Sequence, residues 1–223
     1  MQLGVISDVH GNLVALEAVL DDMPEVDALV CLGDVIGYNP WPGECVDRVR
    51  EAADVVVKGN HERMVETPER YRHHETAYAG LARADEDLTD GQFEWVRSLP
   101  KRRTVADDRF RVVHSHPDPE YEDAYVRPPQ FPEMRPYLDD YDGLFLGHTH
   151  IQHEATIDGR LVLNPGSVGQ PRDSNPAAAY AVVDTDEATA DLRRVEYDID
   201  AVRERVEELG MPRETWARLV EGR

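Results

Sequence analysis

The chain has 223 residues, with 45 Asp and Glu against 24 Lys and Arg and a formal net charge of −21. No apolar run approaches the roughly 20 residues needed to cross a bilayer, and the acidic balance disfavours a nucleic-acid partner, because cationic contacts to phosphate supply most of such affinity. This length suits one domain, residues 1–223, able to bury roughly 70% of the surface its unfolded chain would expose.

Lys58 and Lys101 are the only lysines. The remaining cations are arginines, which hydrate weakly and pair with carboxylates through a planar fork. At molar ionic strength the Debye length falls to roughly 3 Å, which screens the self-repulsion of so acidic a surface. A halophilic source is therefore inferred. The sequence begins on a strand pattern with no basic and apolar leader before it, and is read as cytoplasmic. Cys31 falls in a strand pattern and Cys45 in a helical one, as expected of buried thiols rather than a bridge.

In chain order, Gln2 to Ser7 reads as a buried strand, and Asn12 to Leu20 as a helix with Leu13, Leu16, Val19 and Leu20 on one face. A strand at Ala28 to Leu32 leads through a loop to a helix from about Gly43 to Ala52, and Val55 to Val57 forms the next strand. Residues 62–99 are helical in pattern and read as an insert flanking a cleft. Further strands are expected within Arg102 to Val113 and at Leu144 to Leu146, His153 to Ile157, Leu161 to Leu163, Ala179 to Asp184 and Ala190 to Tyr197. They make a mixed or antiparallel second sheet. Helices at Asp200 to Leu209 and Glu214 to Val220 close the chain, and Pro117 to Pro136 looks the least structured. The fold class is α/β.

Five polar clusters each follow an apolar run: Asp8 to His10, Gly33 with Asp34, Gly59 to Glu62, His114, and Gly147 to His150. Ligands in open α/β sheets bind beyond the carboxyl ends of the strands, so these clusters belong in one crevice. Carboxylate, amide and imidazole groups without thiolates suit Mn²⁺, Fe, Zn²⁺ or Ni²⁺. One such cluster alone is a common turn. Seven ligand-type residues following five strands are harder to explain without a metal, since each polar group buried unpaired costs about 1–3 kcal/mol.

The ordered motifs DVH, GD, GNHE, a lone His and GHTH resemble the calcineurin-like metallophosphoesterase family over most of the chain, and the segment Asn164 to Arg172 is similar to the stretch after the last motif in small bacterial and archaeal members. The resemblance implies a four-layer α/β/β/α sandwich of two mixed β-sheets flanked by helices. It implies two divalent cations, Mn²⁺ foremost, one held by Asp8, His10, Asp34 and His150 and the other by Asp34, Asn60, His114 and His148. It further implies hydrolysis of a phosphomonoester or phosphodiester by a metal-bridging hydroxide, with His61 as the acid.

Asn60 and Arg172 are candidate substrate contacts, Arg172 either as a phosphate clamp or as one side of a surface ion pair. Glu62 is expected to orient His61 or to support the ligands, and Asn12 is a helix cap or a site residue. His116 departs from the family pattern and is read as an extra cleft group or, in preference, as solvated, and His73, His74 and His153 are read as surface histidines. Ser/Thr protein phosphatase activity is disfavoured, because the GD segment continues VIGYNP without the Asp and Arg of those enzymes. The expected partner is a small phosphoester, with a homo-oligomer left open. The rival readings are a non-catalytic scaffold for protein partners, which would have lost ligands, and a phosphate or nucleotide sensor, which would keep them.

Overall fold

The computed structural model describes residues 1–223. Its first half alternates strand and helix. Strand β1 (Gln2–Ile6) leads to helix α1 (Leu13–Asp22), β2 (Ala28–Cys31) to α2 (Pro42–Ala52), and β3 (Val55–Val56) to the short α3 (Asn60–Met64). Helices α4 (Glu75–Asp87) and α5 (Asp90–Ser98) complete the helical stretch. The second half contributes β4 (Arg102–Val105), β5 (Phe110–Val113), β6 (Gly143–Phe145), β7 (His153–Ile157), β8 (Arg160–Asn164), β9 (Ala178–Asp184) and β10 (Thr189–Val195). Helices α6 (Ile199–Glu208) and α7 (Glu214–Glu221) follow.

Two mixed five-stranded sheets result, in the orders β10-β9-β1-β2-β3 and β4-β5-β6-β8-β7. In the first, β1 runs parallel to β2 and β2 to β3, with β9 and β10 antiparallel. In the second, β5, β6 and β8 are parallel to one another, and β4 and β7 are antiparallel edges. Strand alternation sorts the core into layers. Leu3, Val5, Val30, Leu32, Ala181 and Val183 meet Phe110, Val112, Phe145, Leu161 and Leu163 between the sheets. The opposite side of the first sheet, with Ile6, Cys31 and Tyr180, is covered by α1, α2, α4 and α5. Both cysteines are buried and free.

The outer face of the second sheet is covered by the segment that looked least structured in the sequence. Pro128–Tyr137 forms a 3₁₀ helix, and Phe131, Met134 and Leu138 pack on Val113, Leu144, Leu146 and Val162. The prolines at 128, 129, 132 and 136 read as loop, yet in 3₁₀ geometry the residues at i and i+3 eclipse and give a continuous apolar ridge. The fourth layer is therefore this ridge rather than an α-helix. Strand ends also fall a residue short of expectation, at Ile6, Cys31 and Val56, because the chain turns toward the site there.

The Phe131 ring is 1% exposed. Phe131→Ala is expected to lower unfolding free energy by about 3–5 kcal/mol, read as a fall in the urea midpoint with an unchanged slope; a loss under about 1 kcal/mol would show that the ridge is not a structural layer.

Candidate metal centre

The carboxyl ends of β1, β2, β3, β5 and β6 converge as the motif spacing requires. Just beyond them the backbone takes an unusual course: Asp8, His10, Asp34, His148 and His150 have φ of 54°, 49°, 52°, 68° and 59°. Asp and His enter this left-handed region more readily than most residues, though at a cost of about 1–2 kcal/mol each. The loops hold one another in it. Asp8 N donates to Gly33 O, His10 N to Asp34 O, Gly147 N to His114 O, and Gly169 N to Asp8 O. Gly59 is required by a close approach, since a Cβ there would lie 2.1 Å from Asp34 Oδ1.

Glu62 organises this junction through the backbone. It sits three residues into the turn capped by Gly59, and its carboxylate accepts from Gly59 N at 2.7 Å, Asp34 N at 2.9 Å and Val35 N at 2.8 Å. It thus supports Asp34 rather than orienting His61, whose own backbone N donates to Asp34 Oδ1 at 2.8 Å.

Three groups of ligand atoms lie within 4.8 Å of one another: Asp8 with His10 and His150, His10 with Asp34 and His61, and Asp34 with His114 and His148. Asp34 Oδ2 stands 3.7 Å from His10 Nε2 and 3.3 Å from His114 Nε2, between the outer groups. Asn60 Oδ1 lies 3.1 Å from His114 Nε2. The seven residues Asp8, His10, Asp34, Asn60, His114, His148 and His150 are brought together.

Backbone carbonyls set the tautomers. His10, His114 and His150 each turn Nδ1 to a carbonyl, of Ile36, Leu32 and Gln170 at 3.1, 2.8 and 2.6 Å, leaving Nε2 toward the centre. His148 is reversed, with Nε2 donating to Asp123 O at 3.0 Å, so Nδ1 is its free nitrogen. With those protons directed away, His10 Nε2 and His150 Nε2 face each other at 3.0 Å. Asp8 Oδ1, buried and without a hydrogen-bond partner, lies 3.2 Å from His150 Nε2. Lone pairs converging on a point with no proton between them are the donor set a cation fits.

The sequence profile described as "Calcineurin-like phosphoesterase superfamily domain" matches residues 1–188. The chain belongs to this superfamily. It is similar to an uncharacterized protein of Methanocaldococcus jannaschii, 32% identical over 99% of this chain and 98% of that one. Phosphodiesterase YfcE of Escherichia coli is 27% identical over 83% of this chain and 89% of its own length. A metallophosphoesterase from Sphaerobacter thermophilus has the same fold at a TM-score of 0.84, 32% identical over 100% of this chain and 99% of that one. A calcineurin-like phosphoesterase is a metal-dependent enzyme, and the donor set agrees with that.

The remaining polar residues around the centre sort by contact. Asn12 is a cap, accepting from Ala15 N at 3.2 Å, and it also ties down the Gly169 carbonyl. Ser167 is a strut, donating to Asp8 O at 2.7 Å. His61 is 3% exposed and lines a cleft of about 420 Å³ together with Asn60, Arg172, Tyr38 and Tyr125. His73 and His74 are exposed on the same wall, so the helical stretch does flank the cleft. His116 is half-buried, with Nδ1 accepting from Asp118 N and its ring edge-on to Tyr121 and Tyr137; it is a packing residue, not a solvated one. His153 is half-buried against Phe131. Sequence reasoning missed Tyr125, which stacks on His148 at 4.4 Å, and the Asp123 and Gln170 carbonyls. Backbone acceptors leave no side-chain signal to read.

Burial pushes the buried rings and carboxylates toward neutrality, and local charges decide the outcome. His61 and His150 are pushed down to about 3, chiefly by burial. Burial acts the same way on His114, but the Asp34 charge and hydrogen bond outweigh it and raise the ring to about 10. Asp34 itself is held well below the usual carboxylate range, because the His114 and His61 rings outweigh its burial. In the metal-free chain His114 therefore carries a proton below about pH 10, and a cation ligated by its Nε2 must displace it. Uptake of Mn²⁺ is expected to release about one proton per chain at neutral pH, with apparent affinity rising about tenfold per pH unit. Titration calorimetry in buffers of differing ionisation enthalpy reads this directly; no proton release would show that His114 is not a ligand.

Proposed function

We propose that residues 1–223 act as one binuclear metallophosphoesterase that hydrolyses small phosphomonoesters or phosphodiesters, with the helical stretch 62–99 as a cleft wall. The observation that carries this reading is the sharing of Asp34 and His10 among the three ligand groups. Asp8, His10, Asp34 and His150 would hold one cation, and Asp34, Asn60, His114 and His148 the other, with Mn²⁺ the favoured metal and Fe, Zn²⁺ or Ni²⁺ alternatives. Such a pair, when bound, supplies a water acidified toward neutral pKa and neutralises charge on the phosphate.

The chain's own residues do the rest. His61, whose ring centroid lies 4.7 Å from that of His10, donates a proton to the leaving oxygen. Its low pKa in the free chain follows from burial, and an anionic ester entering the cleft favours the protonated ring. Arg172 is bound to His150 through the backbone, Arg172 N to His150 O at 3.1 Å, so its guanidinium is held beside the ligands as a phosphate clamp. Asn60 presents its amide at the same cleft. The phosphodiesterase activity named for the Escherichia coli relative favours the diester as the first substrate to try.

Hydrolysis of bis-aryl and aryl phosphates is expected in Mn²⁺ and high salt, and Asp34→Asn is expected to abolish it. His61→Ala should cost about 10²-fold to 10⁴-fold, and more for an alkyl leaving group than for an aryl one, since only the former needs the proton. An equal loss for both would remove His61 from the acid role. Metal uptake without turnover of any phosphoester would replace the enzyme by the sensor reading.

The charge pattern supports a protein of a halophile. Its thermal midpoint is expected to rise between about 0.1 M and about 1 M KCl, as the Debye length falls from about 10 Å to about 3 Å; a falling midpoint would refute the halophilic assignment.

A further inference from the structure

The cleft at His61 contains a residue that none of the motifs supplies. Arg218 belongs to α7, beyond residues 1–188 that match the superfamily profile, yet it lines the same 420 Å³ cleft as Arg172, Asn60 and His61. Its position is fixed from both sides. Leu219, buried one residue on, packs with Val202 and Val206 against Trp41 and Trp216. At the end of α7, Gly222 O accepts from Ser174 N at 2.9 Å, and a Cβ on Gly222 would stand 2.6 Å from Asn175 N. The end of the last helix is thus seated on the loop that carries Arg172.

Neither guanidinium forms an ion pair with an Asp or Glu side chain, although Glu214, one turn before Arg218, acts on it through charge, in a chain where acidic residues outnumber basic ones nearly two to one. Arg172 rests on neutral Gln170 Oε1 at 2.6 Å and over the Tyr38 ring at 5.6 Å, and Arg218 donates to the Arg223 carbonyl. Burial, and then the Arg172 charge, pull Arg218 below the ordinary guanidinium value, so the like charges act on one another. In another cation-lined cavity Lys101 pairs with Glu122 at 2.9 Å and Arg63 with Asp123, and a further one, lined by Arg102, Arg103 and Arg111, includes no residue of the ligand groups. Two guanidiniums lining one cleft and left unpaired by any Asp or Glu side chain, one of them tied through its backbone to His150, are a receptor for a ligand bearing two anionic groups.

We propose that Arg218 is a specificity residue that grips a second phosphate group of the substrate, while Arg172 serves the phosphate at the ligand cluster. This rests on the phosphoesterase reading of the cleft and deepens it: the substrate class becomes phosphoesters carrying a further phosphate.

The test is binding, which does not require turnover. The Mn²⁺-loaded chain is titrated calorimetrically with a three-carbon bisphosphonate and with propylphosphonate, whose C–P bonds resist hydrolysis. The wild-type chain is expected to prefer the bisphosphonate by about 10-fold to 100-fold, the range for a charge-assisted hydrogen bond. Arg218→Gln should reduce that preference to near unity, and Arg218→Lys, which keeps the charge without the fork, should restore part of it. Thermal midpoints of both variants, taken alongside, separate a folding defect from a lost contact, and Arg218→Lys carries the test if the Gln variant does not fold. An absent preference in the wild-type chain, or one unchanged in Arg218→Gln, overturns the proposal. If the bisphosphonate preference depends on Arg218 but no phosphoester is hydrolysed, the enzymatic reading fails while the two-phosphate clamp stands.

Discussion

A buried carboxylate held over a backbone turn is the constraint on which the rest of this structure depends. Asp34 is 1% exposed, in a left-handed conformation, and lies between the two outer ligand groups. A second buried carboxylate, Glu62, holds it there by accepting from the Asp34, Val35 and Gly59 amides. Burying two anions together is unfavourable: burial, and then the Asp34 charge, raise the pKa of Glu62. Amide donors offset part of this, and the His114 proton supplies the nearest compensating charge in the metal-free chain. The pocket is thus assembled under electrostatic tension that cations would relieve, and the same tension explains why no apolar substitute at position 62 could keep the loops in register.

The backbone adds a cost of the same kind. Five ligand-type residues with positive φ, at about 1–2 kcal/mol each, sum to an amount comparable with the whole stability of an ordinary domain, about 5–15 kcal/mol. Such strain persists only where the surroundings over-determine it. Here they do: loops from separate strands exchange backbone hydrogen bonds, and each strand beneath is locked between two apolar layers. The residue types that ligate metals, Asp and His, are also among those that tolerate this conformation best, so one choice of residue serves geometry and chemistry together.

The same physics explains what was legible in the sequence. The strands leading to Asp8, Asp34, Asn60, His114 and His148 were readable because strands covered on both faces are continuous apolar runs, and the motifs come after them at short, fixed offsets. Asn12 was readable as a cap because Asn before an apolar helical face has one dominant local use. The 3₁₀ ridge was not readable, since Pro128, Pro129, Pro132 and Pro136 signal irregular chain while its apolar contacts are made with strands distant in sequence. Nor was the reversed tautomer of His148, which is set by a carbonyl 25 residues away. Arg218 escaped notice because its neighbourhood with Arg172 is created by the docking of α7, a tertiary contact with no short-range signature.

The overall charge and the cleft pull in opposite directions, and their ranges decide the balance. A net charge of −21 repels a phosphate at long range, whereas Arg172, Arg218 and any bound cations attract it at contact distance. In dilute buffer, with a Debye length of about 10 Å at 0.1 M salt, both effects operate; at about 1 M the length is about 3 Å, so the diffuse repulsion is removed while contacts within the cleft survive. Under the proposed reading, salt helps an anionic substrate reach an acidic enzyme up to the point where ions compete for the arginines themselves. A half-buried guanidinium pair lining the cleft is well placed for that compromise, being sheltered enough to outlast the screening that silences the surface around it.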